Sequence, residues 1–67
     1  MKNHNHDLVH QLSECVDSVW RFDEYTKNAE GCAVCQGIWQ KLKVMHQEAE
    51  MMLIAEIKRH ISENRFD

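Results

Sequence analysis

Two apolar stripes with helical spacing, separated by one short break, leave this chain few folds to choose from. Leu8, Leu12, Cys15, Val19 and Phe22 follow one another at intervals of four, three, four and three, and Val9, Val16 and Trp20 widen that seam to one side. The second stripe is Cys35, Ile38, Leu42, Met45, Ala49 and Met52, drifting through Leu53 and Ile57 to Ile61 and broadened by Trp39. Between them lies Lys27-Asn28-Ala29-Glu30-Gly31, whose Asn and Gly accept the left-handed conformation that ends a helix. No proline interrupts either stripe. The pattern predicts an all-α, single-domain antiparallel hairpin over residues 1–67. Helix one covers about 6–28, the turn about 29–31 and helix two about 32–64. Asn5 is the expected N-cap, with Asp7 in the first turn and Asp17–Arg21 as an i,i+4 pair on the outer face.

A chain of 67 residues is near the lower limit for burying enough surface alone, so a hairpin of this size needs a staple, a metal or a partner. With the turn centred near residue 29 and equal rise along both helices, helix one runs out opposite residue 52 or so. Leu53, Ile54, Ile57 and Ile61 then overhang as an apolar stripe, and such a stripe marks an interface. The expectation is therefore a homodimer or larger assembly, a four-helix bundle in its simplest form, with another protein as an alternative partner.

The remaining composition narrows function mainly by exclusion. A net charge of −3 and the lack of a basic stripe argue against nucleic acid. No apolar run approaches the ~18–20 residues of a membrane span. The N-terminus carries no apolar core typical of a secretory leader, and the cysteine count of three is odd, so the reading is cytoplasmic with free thiols. No Gly-rich phosphate loop, nucleophile elbow or Ser-His-Asp set is visible, so nothing in the sequence points to an enzyme.

Three groups could carry chemistry. Cys32-Ala33-Val34-Cys35 is a CxxC at the start of helix two, where the helix dipole and free amides favour thiolate, suiting metal ligation or thiol exchange. The plain alternative is that Cys35 packs in the seam and Cys32 is an incidental turn residue. Asp23 falls in the apolar arc of helix one, level with Cys35 by the turn-centred pairing. Asp23, Cys32 and Cys35 could supply three ligands, or Asp23 could pair with Lys27 one turn on. His46 points along the second apolar face with Glu50 four residues later, a spacing that can share a zinc or iron ion; a hydrogen-bonded core histidine is the plain alternative. His6 and His10 face away from the seam. Met45, Met51 and Met52 suit either core filling or a pliable binding surface.

Phe22, Tyr25, Ala29-Glu30, Ile38-Trp39, Leu42 and Glu56-Ile57-Lys58 together resemble one helical hairpin of ferritin-like, rubrerythrin-type proteins. The resemblance implies a hairpin that dimerises into a four-helix bundle. Iron-binding members carry ExxH on the second helix, whereas here Lys43 stands three before His46 and Ile57 three before His60. The HxxxCxxC of zinc-binding anti-sigma factors is matched in its cysteines, with Asn28 in the histidine position. The sequence is read first as a non-enzymatic, self-associating interaction or accessory module. The alternatives are a metal-binding bundle protein using zinc or iron, and a CxxC thiol-redox sensor.

Overall fold

The structure is a computed structural model and describes residues 2–65. Helix α1 spans Asn3–Asn28 and helix α2 spans Ala33–Ser62, and the two pack against each other as one hairpin. Its Cα atoms extend 50 × 15 × 11 Å, so the fold is a single layer with one seam.

Helix α1 ends where its sequence says it should. The Ala29 N–H bonds to the Tyr25 carbonyl, and Gly31 takes a φ of 92°, a left-handed conformation that a side chain at that position would disfavour. Cys32 then caps α2, its sulfur accepting a bond from the Cys35 N–H at 3.4 Å.

On α1 the expected seam is the observed one. Cys15 and Phe22 are buried, and Leu8, Leu12 and Val19 are half-buried. On α2 the seam is rotated from its expected place. Trp39, His46, Leu53 and His60, each seven residues apart, form the central column, and every one is half-buried or buried. Ile38, Met45 and Met52 stand outside the seam and are exposed, as is Cys35. Rings pack across the half of the seam nearest the turn: Phe22 stacks on Trp39 with centroids 6.0 Å apart and meets His46 edge-on at 5.1 Å, while Tyr25 lies 5.0 Å from Trp39.

The pairing register also differs from the turn-centred estimate. Asp23 lies against Lys43 rather than Cys35, and Asn5 against His60. Two causes act together. The turn consumes Ala29 to Cys32, which moves its centre along the chain. Side chains also lean toward the N-terminus of their own helix, away from the turn on α1 and toward it on α2, so each α1 residue meets an α2 residue further along. Because α1 starts at Asn3, it reaches His60 and there is no overhang. Leu53 and Ile57 are half-buried against their own chain, whereas Ile54 and Ile61 are exposed.

The open end of the hairpin is closed by polar side chains. Asn5 is not the N-cap; it lies inside α1 and is 1% exposed. Its Nδ2 donates to the Arg65 carbonyl at 2.8 Å, which fixes its Oδ1 as the atom facing His60 Nδ1 at 2.7 Å. His60 is 2% exposed, its Nε2 lies 3.1 Å from Glu56, and His4 covers its ring with centroids 5.0 Å apart. Removing one partner of a buried pair leaves the other unsatisfied, at a cost of about 1–3 kcal/mol. Asn5→Ala should therefore lower unfolding free energy by about that amount in denaturant titration. A change near zero would show that water serves His60 as well as Asn5 does.

Candidate functional site

Of the two ligand sets put forward for a metal, Asp23 does not join Cys32 and Cys35, and His46 with Glu50 gains no third ligand among the described residues. Cys32 and Cys35 stand at the apex of the hairpin. Asp23, on α1, is held by Lys43, whose Nζ donates to Oδ1 at 2.7 Å; Lys43, not Lys27, is its cation. His46 lies inside the seam against Phe22, and Glu50 is half-buried one turn further along. Among the described residues no three of His, Cys, Asp and Glu converge as a metal ion requires. His6 and His10 are exposed and stack on each other at 5.8 Å, with His10 3.8 Å from Glu14, as expected for an outward face.

His46 is the one buried polar group left without a partner among the described residues: its Nδ1 is covered and bonds to nothing. An apolar side chain of similar volume avoids that desolvation cost. His46→Leu should raise the unfolding free energy by about 1 kcal/mol, read by thermal or chemical denaturation. A loss of stability instead would show that the histidine makes a polar contact in solution.

The apex holds the pair of groups closest to each other in chemistry. Both thiols are free and exposed, while Cys15 is buried in the seam with Gln11 Nε2 3.6 Å from its sulfur. Hydrogen bonding from the Cys35 thiol, then from the Cys35 and Val34 backbone N–H groups, holds the Cys32 thiol below the usual cysteine range. The same bond to Cys32, together with repulsion from its negative charge, pushes the Cys35 thiol up. Of the two thiols, Cys32 is thus the easier to ionise and Cys35 the harder.

The largest feature is apolar and outward-facing. Val34, Ile38, Met45 and Met52 form a stripe along α2, with Val34 75% and Met52 71% exposed. On the opposite edge Val9 and Val16 of α1 share a broad face with Ile54 and Ile61 of α2. That assignment follows from the contacts: Asp23 continues the Val9–Val16 column and pairs with Lys43, and Gln40, which shares its column with Ile54 and Ile61, bonds Thr26 at 3.0 Å. The other broad face therefore combines Gln11, Ser18 and Tyr25 of α1 with Ile38, Met45 and Met52 of α2.

Glu56 and His60 repeat the His46–Glu50 spacing in reverse order and do meet, but Asn5 as the partner of His60 escaped the sequence reading. The signal that could have found it is the seven-residue spacing of Trp39, His46, Leu53 and His60, which places His60 in register with the seam. No protein-family model matches this chain, and no curated protein or solved structure is significantly similar to it.

Proposed function

We propose that the chain is a small, non-enzymatic interaction or accessory module that works as a self-associated helical bundle, with a second copy of itself as its first partner. The observation that carries this reading is the exposed apolar stripe of Ile38, Met45 and Met52 along α2, beside Gln11, Ser18 and Tyr25 of α1. Among the described residues the hairpin buries only the apolar side chains of Cys15 and Phe22, too few for a core of its own. Burying one Ile or Met side chain contributes roughly 1.5–3 kcal/mol, so three of them on each of two chains offset much of the cost of association. Two-fold pairing brings a patch against its own copy, and in this column charge enters only beyond Met52, at Arg59, which is already paired with Glu56 and Glu63. The Val9–Val16–Ile54–Ile61 face is less suited, because the Asp23–Lys43 ion pair lies on it. A four-helix bundle is the smallest assembly that covers the stripe, in keeping with the ferritin-like resemblance.

Wild-type protein should sediment as a dimer or larger, with a melting temperature that rises with protein concentration. Met45→Asp with Met52→Asp should give monomers or unfolded chains, while Ile54→Asp with Ile61→Asp should retain most association. The reverse ranking would move the interface to the other face. A wild type that is monomeric and fully folded at micromolar concentration would overturn the reading.

A further inference from the structure

We propose that the apex of the hairpin is a dithiol site for thiol–disulfide exchange, with Cys32 as the attacking thiol, Cys35 as the resolving thiol and a low-molecular-weight disulfide as the reactant. Three features of the structure support this. Both sulfurs are exposed at the end of the molecule, where a small disulfide can approach along the line that substitution at sulfur requires. The Cys35 N–H points at the Cys32 sulfur from 3.4 Å, one helical turn away, so the two cysteines are already neighbours. The third thiol, Cys15, is sealed in the seam and cannot compete.

The reaction balances within this site. The Cys32 thiolate attacks one sulfur of the disulfide, forming a mixed disulfide and expelling one small thiolate. Cys35 then attacks the Cys32 sulfur, its proton passing to solvent or to the departing thiolate, and the second small thiol leaves. The sum is one small disulfide reduced to two thiols and the Cys32–Cys35 pair oxidised to a bridge. The two cysteines differ in the direction this order needs: ionisation is eased at the first and opposed at the second.

Such a bridge does not staple the fold. It closes a loop of four residues within one helical turn, and a loop that short removes little freedom from the unfolded chain. Neither Gly31 nor the α1–α2 seam is constrained by it. The pair is therefore placed for reversible chemistry and not for stability, which separates it from the disulfides that small domains use in place of a core.

The test is to incubate the full chain with oxidised glutathione at neutral pH and map the products by mass spectrometry. Wild type should lose two hydrogens, located to residues 32–35, with unchanged helix content and Cys15 unmodified. Cys35→Ser should accumulate a glutathione adduct on Cys32. In Cys32→Ser, the adduct on Cys35 should form more slowly, because once each cysteine has lost its partner only Cys32 still receives a backbone N–H at the start of α2. Cys32 alkylation should also persist to lower pH than that of a free cysteine, since its pKa is lowered. Equal adduct rates in the two variants, or no bridge in wild type, would overturn the proposal. So would wild-type protein that ignores the disulfide until a chelator removes bound zinc, because the pair would then be a metal half-site.

Discussion

Two helices in contact share one seam, and a seam covers only a stripe of each cylinder. The broad faces on either side of it have no third element to shelter them. Every apolar residue beyond the stripe must face water or another chain, and in this hairpin most of the large ones do. The distribution of side chains between seam and faces therefore governs the rest of the structure. Here it runs against simple hydrophobic sorting: His46, His60 and Asn5 occupy seam positions, while Ile38, Met45 and Met52 do not.

Polar groups in so thin a seam act on alignment more than on stability. Apolar side chains can slide past one another by a helical turn at modest cost, since one Leu–Leu contact resembles the next. A bond from Asn5 to His60, with Asn5 also committed to the Arg65 carbonyl, exists in one alignment only. Asp23–Lys43 and the contacts of Gln36 and Gln40 with Thr26 fix the same alignment near the turn. A buried polar residue that sets register at the expense of stability is the role attested for single asparagines in coiled coils. The aromatic cluster of Phe22, Tyr25 and Trp39 lies among the contacts near the turn and supplies attraction there.

How much of this could be read from the chain divides by helix. The α1 seam was legible because only one apolar periodicity runs through it, and Leu8, Cys15 and Phe22 have no rival columns of equal strength. The break was legible because Asn28 and Gly31 have a conformational reason to be there. On α2 two periodicities coexist, one through Ile38, Met45 and Met52 and one through Trp39, His46, Leu53 and His60. Hydrophobicity alone selects the first, whereas the structure seats the second. The register was lost for a geometric reason, the opposite lean of side chains on antiparallel helices, and the expected overhang at Leu53, Ile54, Ile57 and Ile61 went with it. Asn5 misled because its residue type favours caps, although nothing in its type prevents it from lying inside a helix. The CxxC was placed where expected, at the start of α2, but the pairing of Asp23 with a cation twenty residues away was not foreseeable from local spacing.

The second periodicity on α2 is informative because it is redundant for the hairpin. A helix that packs against one neighbour needs one stripe, and the leftover stripe on a solitary hairpin only adds a liability to aggregate. A helix in a bundle needs a second stripe, offset from the first by about a quarter turn, to meet the next pair. The offset between the Trp39–His46–Leu53 column and the Ile38–Met45–Met52 column is one residue, about 100° around the axis, the angle that separates neighbours at adjacent corners of a square bundle. The two stripes thus have complementary demands: the inner one carries the polar contacts that align two helices of one chain, and the outer one carries the apolar surface that a bundle would bury. Exchanging their contents would leave the hairpin without a fixed register and the bundle with uncompensated polar groups in its core.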